Sequence, residues 1–277
     1  MKDWKFYNHA AIPTTAPHEK VDLSPIIDGT IWGLKGKPLF ARWTENFDCE
    51  YKTDWWYCIK DEPFDFSQIK SKRRTEIRKG LKLNRVKVVK ALNYIDEIYR
   101  IQSECYDDYP EQYRPEHSYE ITLQFCRTWD MNHIVYMGFS EQTGEATGFA
   151  CVEPMGEYVN FEILKVPNKH KNSQVVAALI YAILIDMLNS NNFKYVCDGA
   201  RNLVHQTKFM DYLVKQFAFR YAYCDLRMEY NPIIKPIIKA LFPFRKILKK
   251  MTTNRLIYKI MAVLTMEEIA RKSHERN

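Results

Sequence analysis

Three short, mostly apolar runs, 133–139, 146–154 and 158–166, the last with partial polar alternation, follow one another with Thr143-Gly144 and Met155-Gly156 between them. Short apolar runs broken by tight turns predict consecutive hairpins, an antiparallel meander. The run 175–185 is apolar at all eleven positions. It is too long for a buried strand and too short to span a membrane, which takes about 20 residues, so it predicts a buried helix over 172–189. Around it the pattern predicts a strand at 85–91, helices at 93–108 and 117–130, and a strand at 194–197. A loop at 198–206, a helix at 207–217 and a long strand at 220–230 complete the series. The order β-α-α-β-β-β-α-β-α-β belongs to an α+β domain, a mixed, mostly antiparallel sheet with helices on both faces. Upstream, 30–34 and 38–43 flank a Lys-Gly-Lys turn as a predicted hairpin, and 54–60 reads as a strand stopped by Pro63. Ser67 is placed to cap a helix running to position 83. The expected organisation is a β-rich extension (1–66) packed on a main domain (67–231), followed by a basic amphipathic helical tail (232–277).

Charge changes this picture more than bulk composition does. The 277 residues are 46% hydrophobic, enough for a substantial core, and carry 41 basic against 34 acidic side chains, a net +7. Segment 67–90 holds ten Lys/Arg and one Glu, and 235–277 holds eleven and three, so the remainder is net acidic by ten. Two basic segments on an acidic body raise the question of what each touches. The tail interleaves Ile, Leu and Phe with Lys and Arg over 233–264. That pattern suits either an anionic membrane surface or docking on the body. The N-terminal residues have no apolar signal core, which makes a cytoplasmic protein, peripheral at the membrane's inner face, the expectation. Seven scattered cysteines, with no C-x-x-C spacing, read as reduced and mostly buried, with no metal site expected.

The segment 207–219, Thr-Lys-Phe-Met-Asp-Tyr-Leu-Val-Lys-Gln-Phe-Ala-Phe, resembles the fourth helix and closing signature of the GNAT acyltransferase superfamily, with Ala218 where that family usually has glycine. The preceding basic stretch, Ser71-Lys-Arg-Arg-Thr-Glu-Ile-Arg-Lys-Gly-Leu81, is more similar to the FemAB-like branch and to the surface-polysaccharide-associated acyltransferases. The resemblance covers residues 54–230. It implies a GNAT-like fold and an N-acyltransferase that moves an acyl group from a thioester, acyl-CoA (acetyl-CoA), to an amine. That amine would belong to an amino sugar or a lipid-linked cell-envelope precursor. The alternatives are a FemAB-like aminoacyltransferase using aminoacyl-tRNA, and a non-catalytic ligand- or membrane-binding protein. One departure stands out. Acetyl-CoA-binding members carry a glycine-rich loop before the helix that meets the pyrophosphate; here the loop reads Pro167-Asn-Lys-His-Lys-Asn-Ser-Gln174, with no glycine.

The candidate residues follow from both lines. Glu162 alternates with Tyr158, Asn160 and Leu164 on one strand face and lies between Phe161 and Ile163. The resemblance makes it the base that deprotonates the attacking amine, with a structural carboxylate as the plain alternative. His205 competes for that role, and the resemblance implies a tyrosine on the last strand, Tyr221 or Tyr223, of which Tyr223 is taken, to protonate the departing thiolate. Lys169 and Lys171 are placed to meet phosphate, and Asn172 or Ser173 to cap the following helix. The loop 198–206 clusters Asp198, Arg201, Asn202 and His205 where the resembled fold admits its donor; Asn202 and Thr207 serve equally as helix caps. Arg73 shares a helical stripe with Ile69, Ile77 and Leu81, so it either pairs with a carboxylate or faces an anionic substrate, beside a basic row that includes Arg74.

Overall fold

The computed structural model describes residues 3–109, 114–191, 193–203, 209–248 and 255–275. Ten strands run in chain order: β1 (Trp4–Tyr7), β2 (Ala10–Pro13), β3 (Phe40–Glu45), β4 (Trp55–Lys60), β5 (Asn84–Val89), β6 (Ile134–Ser140), β7 (Ala146–Met155), β8 (Tyr158–Lys165), β9 (Tyr195–Ala200) and β10 (Arg220–Tyr230). Among them lie helices α1 (Ser24–Ile27), α2 (Ser71–Leu83), α3 (Ile95–Asp107), α4 (Tyr119–Asn132), α5 (Val175–Leu184), α6 (Phe209–Phe217), α7 (Lys235–Leu241), α8 (Arg245–Leu248) and α9 (Arg255–His274). The chain forms two compact units, one of Met1–Tyr57, Ala200–Lys208 and Tyr221–Asn277, the other of Cys58–Gly199 and Phe209–Arg220. The divisions between these units fall at 57/58, 199/200, 208/209 and 220/221.

In the unit that holds both chain ends, β1 pairs antiparallel with β2, β2 parallel with β3, and β3 antiparallel with β10. The predicted hairpin at 30–43 does not form. Asp28 accepts bonds from the Thr30 amide and hydroxyl at 2.9 and 2.7 Å, and Gly29 turns left-handed, so Thr30–Gly33 winds into a 3-10 turn that sinks Ile31. The basic tail is docked here: Ile238, Met261, Leu264 and Ile269 are buried in a core with Phe40, Trp55, Leu226 and Met228. Lys272 reaches Asp54 at 2.8 Å and Glu267 accepts from the Tyr230 hydroxyl at 2.9 Å.

The second unit is the meander read from the short apolar runs, extended at both edges. Its strands lie in the order β9-β8-β7-β6-β5, antiparallel throughout except for β8 beside β9. Helices α3 and α4 bury Ile98, Ile101, Cys126 and Trp129 against Met137, Phe149 and Cys151. Helix α5 packs on β5, β6 and β7 from the other side, closely enough that a Cβ on Gly138 would sit 2.6 Å from Val175. The expected single helix over 172–189 is three pieces: a 3-10 turn Asn168–Ser173, α5, and a π turn Ile185–Ser190. Helix α2 starts at Ser71 rather than at a Ser67 cap, because Asp65 caps a separate 3-10 turn at Phe66–Gln68. Six of the seven cysteines are buried, and all are free.

Candidate active site

Strands β8 and β9 stay paired for only three positions, Tyr158 with Tyr195, Val159 with Val196 and Asn160 with Cys197. Past that point β8 runs on through Phe161–Lys165 and β9 through Asp198 and Gly199 without partnering each other, so a cleft opens between them. Parallel strands that part in mid-sheet expose main-chain groups and leave room for a ligand in the interior of the sheet.

Asp198 is the first β9 residue beyond the parting. Its side chain is largely buried, and among the described residues its carboxylate has neither a hydrogen-bond donor nor a cation. Desolvation alone pushes its pKa up to about 7. A carboxyl held at that value exchanges protons near neutrality, the property a general acid or base needs. Burial and the Asp198 carboxylate together push the Cys58 thiol up, so Cys58 stays a protonated wall residue and not a nucleophile. From α6, Phe209 meets Phe161 at 5.9 Å between ring centres and stacks on Tyr212 at 6.2 Å, giving the cleft an aromatic side. Burial lifts the Tyr212 hydroxyl to about 12, so it remains a donor.

Glu162 sits where the alternation fails. Cys151 pairs with Ile163 and Val152 with Phe161, so Glu162 is the extra residue of a β-bulge. The bulge interrupts the one-face series expected from Tyr158, Asn160 and Leu164, and turns the carboxylate to His133 Nε2 at 2.6 Å. The glutamate is half exposed and the imidazole almost fully buried. His133, Cys151 and Glu162 offer one nitrogen, one sulfur and one oxygen within 4.8 Å, the only such trio among the described residues. The close His133–Glu162 contact already engages two of the three.

The remaining candidates divide. Lys169 is held by Glu104 at 2.9 Å and Glu145 at 3.6 Å, and the Ser173 hydroxyl bonds the His170 carbonyl at 2.7 Å and Asn84 at 3.3 Å. The start of α5 is left-handed at Gln174, and α2 presses on it: a Cβ on Gly80 would lie 2.5 Å from the Gln174 carbonyl oxygen. Lys171 and Asn172 are exposed. This loop therefore lacks a glycine cradle for a pyrophosphate, and only its outer rim offers free groups. Arg73 takes the first of its two predicted roles, pairing with Glu76 at 3.0 Å, and Glu76 also accepts from Gln216 at 2.7 Å. Arg74 has no carboxylate partner among the described residues. Arg201, Asn202 and Tyr223 belong to the other unit, where Arg201 donates to the Asp54 carbonyl at 2.6 Å and the Tyr223 carbonyl accepts the Cys49 amide at 2.9 Å. His205 and Thr207 lie outside the described residues. Residue-by-residue reading passed over His133 and the Glu76–Gln216 pair, because their partners are 29 and 140 positions away and no local pattern links them.

No protein-family model matches the chain, and no curated protein matches it. Solved structures do. FemX superposes with a TM-score of 0.57 over 84% of this chain and 85% of its own, at 7% identity. The C-terminal domain (DUF2156) of a protein assigned as a lysylphosphatidylglycerol synthetase from Agrobacterium fabrum gives 0.55 over 87% and 84%, at 10% identity. The fold is FemX-like. L-PGS from Bacillus licheniformis adds 0.51 over 86% and 83%, at 13% identity. At such identities the likeness concerns the fold, and none of the described helices is long and apolar enough to cross a membrane.

Proposed function

We propose that the chain is an acyl transferase of the aminoacyl kind, moving an aminoacyl group from a tRNA-borne ester to an acceptor amine in the β8/β9 cleft. The observation that carries it is the Asp198 carboxylate at the parting of the strands, which has no donor or cation among the described residues. In its ionised form Asp198 takes a proton from the acceptor's neutral amine as that nitrogen attacks the ester carbonyl. The C–N bond forms, the C–O bond to the ribose breaks, and the proton passes to the departing oxygen. No covalent enzyme intermediate is needed, and the protonated, buried Cys58 offers no competing nucleophile.

Two features favour a tRNA ester over a CoA thioester. The loop before α5 has no glycine, spends Lys169 on two carboxylates and is braced by α2. Helix α2 in turn presents Lys72, Arg74, Lys79 and Lys82, with Lys70 just before it, none of them paired with a carboxylate among the described residues, which suits a phosphate backbone. The Agrobacterium fabrum protein that shares this fold is named for lysylphosphatidylglycerol, an aminoacyl ester, which favours an aminoacyl group as the one transferred. A second reading keeps acyl-CoA as donor, because Lys171 and Asn172 stand exposed beside the α5 start. Filter binding with total tRNA across a salt series, against thermal shift with acetyl-CoA, separates the two. Steep salt dependence that flattens in Lys72→Glu/Arg74→Glu/Lys79→Glu supports tRNA; a shift with acetyl-CoA alone reverses the choice.

A further inference from the structure

Between Asn231 and Met266 the chain has no acidic residue and eight Lys/Arg. Within that stretch α7, a 3-10 turn at Phe242–Phe244 and α8 run end to end from Lys235 to Leu248. One side of the segment is spent on its own unit: Ile238 is buried, and Ile234, Leu241, Phe242 and Leu248 pack around the same core. The adjacent side is apolar as well. Ile233, Ile237, Phe244 and Ile247, spaced four, seven and three residues apart, are 76%, 50%, 56% and 61% exposed. That spacing keeps them on one stripe. Single exposed apolar side chains are ordinary, but four on one short segment mark an interaction surface.

The charge beside the stripe narrows the occupant. Lys239 and Lys246 are exposed and have no carboxylate partner among the described residues, while Lys235 is held by Glu229 at 2.7 Å. Lys249 and Lys250 follow directly in sequence. A second copy of the chain would bring like charges together around this stripe, whereas an anionic bilayer meets apolar residues with acyl chains and lysines with headgroups.

We infer that the segment from Ile233 to Leu248 is an interfacial membrane anchor, lying in the plane of an anionic lipid surface with Ile233, Ile237, Phe244 and Ile247 immersed. Docking of the tail and membrane contact are thus not alternatives, since one face of the same segment serves each. The inference is independent of the reaction chemistry: Asp198→Asn leaves it untouched.

The experiment is vesicle sedimentation of the full chain. Wild type is expected to pellet with phosphatidylcholine vesicles containing phosphatidylglycerol and to stay in solution with phosphatidylcholine alone. Ile237→Ser and Phe244→Ser should each weaken partitioning about tenfold or more, and Lys239→Gln and Lys246→Gln about fivefold each. In parallel, the fluorescence of Phe244→Trp should be quenched by bromine-labelled acyl chains. Partitioning unchanged in Ile237→Ser/Phe244→Ser, or no quenching of the new tryptophan in pelleted protein, overturns the inference. So does light scattering that finds a wild-type dimer reduced to monomer by the same double variant.

Discussion

Asn160 stands opposite Cys197, and theirs is the last pairing between β8 and β9. The next residue on β9 is Asp198, so the loss of a strand neighbour and the appearance of a desolvated carboxylate with no cation among the described residues coincide within one position. A desolvated acid costs stability when ionised, and such groups cluster where they serve a reaction.

That cost sets the first expectation. The folded-state pKa of Asp198, about 7, lies above its ordinary value of 3.8, so the native state binds the extra proton between those limits. Stability contributed by the neutral acid is full below the lower value and is lost as pH rises through the upper one. Asp198→Asn should therefore match wild type near pH 4 and exceed it above pH 7, by roughly 2–4 kcal/mol. Urea unfolding across that range measures the gap.

Helix α2 and the start of α5 share a contact with no room to spare. Gly80→Ala would bring a Cβ to 2.5 Å from the Gln174 carbonyl oxygen and 3.3 Å from the Ala178 amide. Although alanine favours helix, overpacking against backbone should win, with a net loss of about 1–3 kcal/mol in denaturant unfolding.

Ala218 follows α6 with φ of +54°, at the position where the resembled superfamily has glycine. A left-handed alanine costs about 1–2 kcal/mol, partly offset by the smaller unfolded-state freedom it brings. Ala218→Gly should raise stability by about 0.5–1 kcal/mol, read as a higher denaturation midpoint with unchanged slope.

How far the sequence carries depends on the range of the forces at each place. The short apolar runs over 133–166 and the apolar run 175–185 report burial directly, and the meander and its covering helix stand there. Hairpin 30–43 was misread because an aspartate two residues before Thr30 outcompetes strand pairing for its amide. Asp198 was legible as a polar group at a strand end, but its isolation was not, since an absent partner leaves no sequence signal. Glu162 was legible as a strand carboxylate, while the bulge that aims it at His133 depends on the register of three strands and on no local pattern.

The pH dependence of aminoacyl transfer by wild type, Asp198→Asn and Glu162→Gln, with tRNA-borne donor and a simple amine acceptor, tests the central claim most directly. The expected wild-type kcat/KM rises with pH on a limb centred near pH 7, as the Asp198 carboxyl ionises. Asp198→Asn should lose that limb and fall by about 10²–10⁴-fold, while Glu162→Gln keeps it. An Asp198→Asn enzyme that retains wild-type rate and the same rising limb would contradict the account, and loss of the limb in Glu162→Gln alone would move the base to β8.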